Sequence, residues 1–347
     1  MHASCNPPVT VSEPLPVACG SAAASTPTSV LLSVRVSAVT DEAQGIRSFE
    51  LVDVAGSALP AFSAGAHIDV IPPGGPTRSY SLCNNPSERH RYLIAVQREA
   101  DSRGGSASMH ERVRAGDLLA ISAPKNHFPL AQDASSSLLL AAGIGVTPIL
   151  SMAERLHASG SDFQMHYCTR SMQRTAFHRR ITTAPYAEKV HFHFGDGEAV
   201  QRFDVATHLP EPQSGVHLYV CGPGGFIESV LTTAQALGWK ESHLHREYFG
   251  AHVELCGAEE GFEVVAARTG KVVVVPPGKT VLQALAEAGV DVPFSCEQGV
   301  CGTCETRVLD GKPEHRDLYL TPHEQAANDR FMPCCSRSLS PRLVLDL

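Results

Sequence analysis

Five of the chain's eleven cysteines crowd into Cys296, Cys301, Cys304, Cys334 and Cys335, and their spacing constrains the fold more than any other feature. The first three read C-x4-C-x2-C, and Cys334 follows Cys304 after twenty-nine residues. This is the plant-type arrangement for a [2Fe–2S] cluster, in which four thiolates hold two irons. Taking three ligands from one loop requires the chain to wrap around the metal. Gly299, Gly302 and Thr303 are small enough to let backbone N–H groups approach the sulfurs. Such hydrogen bonds stabilise the reduced, more negative cluster and raise its potential. A zinc site fits less well, because zinc motifs usually pair two close knuckles and the first gap here is four. The fourth ligand is ambiguous by one position: spacing favours Cys334, with Cys335 as a small buried neighbour. The other cysteines are scattered singly. No basic start followed by an apolar stretch marks a secretory signal, so a metal site in a reducing cytosol is expected, not a disulfide framework.

At 347 residues the chain is too long for one ordinary domain, and 43% hydrophobic with 18% charged residues is a globular composition. The net charge of −8 is spread thinly, with basic and acidic residues near balance between 30 and 130 and a slight acidic excess beyond. That argues against nucleic acid as a partner and against a polybasic membrane patch. No apolar run is long enough to span a bilayer. Residues 1–29, rich in Pro, Ala, Ser and Thr, are expected to form a disordered tail.

Three textures follow. Over 30–131, alternating stretches such as Leu31–Val36, Ser48–Val54 and Tyr92–Val96 are separated by turn-rich segments, as in an antiparallel β-barrel or sandwich. Over 132–250, the strands Leu138–Ala142, Phe163–Cys168, Val190–Phe194 and Val216–Val220 alternate with helical stretches at Pro148–His157 and Phe226–Leu237. That alternation predicts a parallel α/β sheet. Residues 251–261, with Glu254, Glu259 and Glu260 and no Lys or Arg, read as a linker. Over 262–347, a hairpin turning at Thr269-Gly270 and a helix at Val281–Ala288 lead into the cysteine loop.

Two motifs in the first segment suit a flavin. In Arg78-Ser79-Tyr80-Ser81 the Arg would meet a phosphate, the Tyr ring would stack on the isoalloxazine, and the Ser81 hydroxyl would lie near flavin N5. Gly104-Gly105-Ser106 opens a helix, where N–H groups and the helix dipole favour an anion. Two more in the second segment suit a dinucleotide. Gly143-Ile144-Gly145-Val146-Thr147-Pro148 runs from a buried strand into a helix, although Pro148 stands where the usual fingerprint has its third glycine. Cys221-Gly222-Pro223 closes a later strand, at the carboxyl end where open α/β sheets bind ligands. His191 with His193, and His243 with His245, alternate on expected strands. We read them as ordinary surface or core histidines, with metal ligation the lesser alternative.

These elements, in this order, resemble the phthalate dioxygenase reductase and vanillate demethylase reductase family. Arg78 to Asn84, Gly104-Gly105-Ser106, Gly143 to Pro148, Cys221-Gly222-Pro223, Glu247-Tyr248-Phe249-Gly250-Ala251, the cluster cysteines and the closing Leu343 to Leu347 carry the resemblance. It implies a flavin-binding barrel, a nicotinamide-binding sheet and a C-terminal ferredoxin-like β-grasp domain. It also implies FMN, NADH as donor, a Rieske-type oxygenase as acceptor, and a monomer. Carried over by position, Arg78, Tyr80 and Ser81 would hold the flavin and Ser106 would sit by its phosphate. Thr147 and Cys221 would lie by the nicotinamide, and Phe249 against the flavin ring. One departure concerns the nucleotide. Thr169-Arg170-Ser171-Met172-Gln173-Arg174 offers no carboxylate for a ribose hydroxyl, while Ser171 and Arg174 suit a 2′-phosphate, so NADPH stays open.

Nicotinamide delivers two electrons together and an iron–sulfur cluster takes one, so a flavin must stand between them. The expected function is an NADH-dependent reductase component of an oxygenase or demethylase system. The alternatives are a stand-alone reductase using FAD or NADPH with another acceptor, and a non-catalytic redox or zinc-stabilised module.

Overall fold

The computed structural model describes residues 31–99, 104–198, 201–250, 260–294 and 296–347. The expected tail lies outside the described residues, as does the expected linker apart from Glu260 and Gly261.

Six antiparallel strands build the first module: β1 (Leu31–Ala43), β2 (Ile46–Asp53), β3 (His67–Ile71), β4 (Arg78–Ser81), β5 (Tyr92–Gln97) and β6 (Leu118–Ser122). Their order is β4-β3-β6-β1-β2-β5, and a bridge from Leu82 to Ile94 closes the sheet into a barrel. Alternation explains the closure. Val34, Val36, Phe49, Leu51, Ile68, Val70, Ile94 and Ile121 all point inward and are buried. Helix α1 (Gly105–Arg112) lies between β5 and β6 and begins at Gly104, whose φ of 102° only glycine adopts readily.

The second module is a parallel sheet of β7 (Ser136–Ala142), β8 (Asp162–Thr169), β9 (Val190–Phe194), β10 (Val216–Cys221) and β11 (Leu244–Glu247), in the order β11-β10-β7-β8-β9. Helices α2 (Val146–Ala158), α3 (His178–Thr182), α4 (Val205–His208) and α5 (Gly224–Ala236) connect the strands. From β7 the chain moves outward to β8 and β9, then returns to β10 on the other side. The switch point therefore lies between β7 and β10, where the two expected dinucleotide turns stand. Helix α2 starts two residues before the expected Pro148. The 3₁₀ turn Gly143–Gly145 runs straight into it, and Pro148 falls in the first turn, where its missing N–H costs no helical bond. His243 lies in a 3₁₀ turn before β11 and not on a strand.

The third module pairs β12 (Phe262–Ala266) with β13 (Lys271–Val275), then adds α6 (Val281–Glu287), β14 (Thr306–Asp310), the short β15 (Pro313–Glu314), α7 (Pro322–Ala327), β16 (Arg330–Phe331), β17 (Arg337–Ser338) and β18 (Arg342–Leu345). The order β13-β12-β18-β14-β16, with β12 and β18 parallel and α6 packed across the sheet, is a β-grasp. A capping box between Thr280 and Gln283 starts α6.

The barrel and the parallel sheet share an interior. Ala64, Cys83, Ala95 and Phe128 from the first pack with Leu139, Ala141, Ile149 and Tyr219 from the second. The buried Ser151 hydroxyl on α2 donates to Asn84 O across that boundary (3.1 Å). The β-grasp module has a core of its own residues, from Phe262 to Leu345.

Candidate functional site

The three modules meet around a cavity of about 570 Å³. Antiparallel pairing of β3 with β4 sets His67 opposite Ser81 and Ile68 opposite Tyr80, so one barrel wall presents both His67 and the Arg78–Ser81 motif to it. Ser79 and Ser81 line it as well, although the Ser79 hydroxyl is spent on Asp69 (2.6 Å), whose other oxygen takes Lys125 (2.7 Å). Gly105 packs so tightly on Arg78 that a Cβ there would lie 2.7 Å from Arg78 Cγ. The first turn of α1, with Ser106, therefore sits beside the guanidinium, a place suited to a phosphate.

From the parallel sheet, Ile144 and Thr147 reach the cavity from the turn after β7, and Glu247, Tyr248 and Phe249 reach it from the end of β11. Thr147 spends its hydroxyl on Ile144 O (3.0 Å). Gly143, at φ 55°, turns the chain, and Gly145 lies directly on the end of β10, where a Cβ would come within 2.3 Å of Cys221 O. A Cβ on Gly222 would come within 2.7 Å of Ala142 Cβ, so the two dinucleotide turns are pressed together. Cys221 is fully buried beneath them, and burial pushes its thiol well above the ordinary range, leaving it a neutral packing group with polar reach. Phe249 is 38% exposed at the rim.

Glu247 was quoted in the sequence only as part of a motif, and the structure gives it a chemical position. It is paired in register with Cys221, and its Oε2 receives the Ser81 hydroxyl at 3.4 Å. Burial pushes its carboxyl up to about 8, against the smaller opposing pull of Ser81, so it holds a proton at neutral pH. Burial likewise carries His67 down to about 4 and Tyr80 up to about 12, keeping both uncharged. Two buried polar atoms here, His67 Nε2 and Tyr80 Oη, have no hydrogen-bond partner among the described residues. Buried polar atoms are normally satisfied. A flat ligand with hydrogen-bonding edges and a phosphate tail fits these residues, and that is the chemistry of a flavin mononucleotide portion.

The cysteine loop forms the opposite wall through Cys296, Gln298, Val300 and Cys301. The four expected ligands are buried, and their thiols meet in two pairs, Cys296 with Cys301 and Cys304 with Cys334. The Gln298 N–H donates to Cys296 Sγ (3.3 Å), and the Gly299 N–H reaches Cys334. Gly299 and Gly302 adopt φ of 68° and 70°, which lets the loop curl around the sulfurs. Cys335 is buried beside Cys334 and donates to Met332 O (3.7 Å), with Gly299 leaving room for its sulfur. Four close thiols with backbone N–H donors and no histidine fit the [2Fe–2S] donor set.

Outside the cavity, the histidines of the parallel sheet pair with one another. His166 Nδ1 and His193 Nε2 are 2.9 Å apart, as are His217 Nδ1 and His245 Nε2.

Comparison with known proteins agrees with this geometry. Residues 264–339 match the model of the 2Fe-2S iron-sulfur cluster binding domain. Residues 122–244 match that of the dimethylamine monooxygenase subunit DmmA-like N-terminal domain. The chain is 55% identical over 308 residues to the vanillate O-demethylase oxidoreductase of Pseudomonas putida, covering 88% of this chain and 97% of the relative. It is 42% identical over 315 residues to the phthalate 4,5-dioxygenase oxygenase reductase subunit of Pseudomonas putida, covering 90% and 96%. Among solved structures, a phthalate dioxygenase reductase, described as transferring electrons from pyridine nucleotides to [2Fe-2S], superposes with a TM-score of 0.74. It shares 38% identity, covering 91% of this chain and 98% of that one. The chain belongs to this family of oxygenase reductases, and is an oxidoreductase built from a flavin-binding barrel, a parallel nicotinamide-type sheet and a C-terminal [2Fe–2S] ferredoxin module.

Proposed function

We propose that the chain is the NADH-oxidising reductase component of a Rieske-type oxygenase or demethylase system, carrying FMN and one [2Fe–2S] cluster held by Cys296, Cys301, Cys304 and Cys334. The observation that carries this reading is the common cavity, whose walls are Tyr80 and Ser81, Thr147 and Phe249, and Cys296 and Cys301. Flavin, when bound, takes two electrons together from a nicotinamide and releases them singly.

The residues then divide the work. Arg78 with Gly104, Gly105 and Ser106 holds a phosphate of the flavin, and FMN over FAD follows the family resemblance. The turns Gly143–Gly145 and Cys221-Gly222 bring the nucleotide's backbone close, and Thr147 steers its ring. Phe249 shields the cavity mouth and moves aside for the donor. Glu247 keeps a proton at neutral pH while its Oε2 accepts the Ser81 hydroxyl. NADH over NADPH follows the family resemblance, and Ser171 and Arg174 are the residues that a 2′-phosphate would meet.

The test is one preparation. Flavin released from the purified protein is identified by mass, iron and sulfide are quantified, and kcat/KM is compared for NADH and NADPH. FMN, two irons and two sulfides per chain, and a clear NADH preference are expected. Protein that binds neither flavin nor iron after anaerobic reconstitution overturns the reading, and FAD or an NADPH preference corrects the corresponding assignment.

A further inference from the structure

The cysteine loop is fastened to both neighbouring modules. Val300, at its tip, packs against the core formed by β10, α5 and Tyr248, and Gln298 lies over Gly250. On the other side the fastening is aromatic. The rings of His67 and His127 of the barrel are in tilted contact, 33° apart with centroids at 5.5 Å, and His127 meets Tyr319 of the ferredoxin module edge to face at 6.2 Å and 87°. Both ends are held. His127 follows Lys125, which exchanges backbone hydrogen bonds with His67, and Asn126, whose amide grips Ser63 Oγ (2.7 Å) and Ala64 O (2.9 Å). On the far side, the Leu318 N–H donates to Gly299 O (3.0 Å), and Asp317 Oδ2 receives the Leu320 N–H (2.8 Å). The Tyr319 ring lies flush on Gly302, between two cluster cysteines, so that a Cβ at 302 would come within 2.3 Å of it.

An aromatic contact thus runs from the flavin wall to the loop that carries Cys301, and His67, His127 and Tyr319 all line the common cavity. We propose that Tyr319, seated on Gly302 and braced against His127, is a positioning residue that registers the cluster loop on the flavin cavity and so sets the rate at which electrons cross from flavin to cluster. This rests on the proposed electron route. The ring's surface does the positioning, because no hydrogen bond of its hydroxyl is needed for the edge-to-face contact. Small displacements at a reacting junction carry large rate penalties.

The test uses the full chain loaded with flavin and cluster. In rapid mixing with NADH, flavin bleaching and cluster bleaching are followed in the same traces for wild type, Tyr319→Ala, Tyr319→Phe and His127→Ala. Iron, sulfide and the electron paramagnetic resonance spectrum of the reduced cluster are checked for each. The expected result is cluster reduction slowed about tenfold or more relative to flavin reduction in Tyr319→Ala, with an unaltered cluster spectrum. Tyr319→Phe is expected near wild type, and His127→Ala slowed in the same sense. Should Tyr319→Ala fail to hold a cluster, His127→Ala, which leaves the loop intact, decides the matter. Wild-type speed in the alanine variants, or a Tyr319→Phe as slow as Tyr319→Ala, overturns the proposal. A wild-type cluster that stays oxidised under NADH overturns the electron route itself, and this role with it.

Discussion

Glu247 is a carboxylic acid placed where a carboxylate would be costly, and its protonation ties the cavity to pH. In the flavin-free protein its folded value of about 8 stands above the ordinary value of 4.5, so between those limits the folded chain binds a proton that the unfolded chain has released. Stability therefore falls as pH rises through that window and levels off above it. Glu247→Gln removes this contribution, so its urea midpoint is expected to gain on wild type steadily from about pH 5 to about pH 9. A constant offset between the two proteins across that range would refute the raised value. The motif around Glu247 was visible in the sequence, but its protonated character was not, because that comes from burial where the end of β11 meets Ser81, 166 positions away. His67, too, matters only because β3 and β4 pair in the register that sets it opposite Ser81. The cysteines proposed as ligands could be picked out for the opposite reason: three ligands on one loop must be close in sequence to be close in space. The fourth ligand was legible only as one of two neighbours, and the thiol pairing of Cys304 with Cys334 supports the proposal of Cys334.

Strands and helices were read more faithfully than their ends. Leu138–Ala142 and Val216–Val220 were recognisable as apolar runs bounded by glycine, and the structure extends them by one or two residues each. The start of α2 was misjudged because Pro148 looks like a first helical residue, whereas the preceding 3₁₀ turn had already set the helical direction. What periodicity did not convey is how closely the turn after β7 approaches the end of β10. Gly145 has no room for a methyl group, since its nearest neighbours are backbone atoms of Cys221 and Gly222 that cannot swing away. Gly145→Ala is expected to cost about 1–3 kcal/mol in chemical denaturation. Gly224→Ala, where a Cβ meets nothing within 4 Å, should leave the midpoint unchanged or slightly raised. Equal effects at the two positions would mean that the β7–β10 contact is looser than it looks.

For the molecule as a whole, the order of modules was legible because each carries its own local signature: period-two alternation, then strand–helix alternation, then the cysteine loop. Their mutual arrangement was not, because it rests on contacts such as His127 with Tyr319 and Val300 with the β10–α5 core. The arrangement predicts separable activities. Cys301→Ser is expected to lose the cluster and nearly all cytochrome c reduction while NADH-to-ferricyanide activity through the flavin persists. Loss of both together would show that the flavin half depends on an intact cluster loop. The common interior of barrel and parallel sheet, where Phe128 and Cys83 lie among Leu139, Ile149 and Tyr219, has a bearing on descent. Neither of those two units can be traded for a stranger's without tearing open a hydrophobic seam, so they must be inherited as a couple. The ferredoxin portion closes most of its own core and touches its neighbours through a few contacts such as Val300 and Tyr319, so it can be grafted, lost or reordered at smaller penalty.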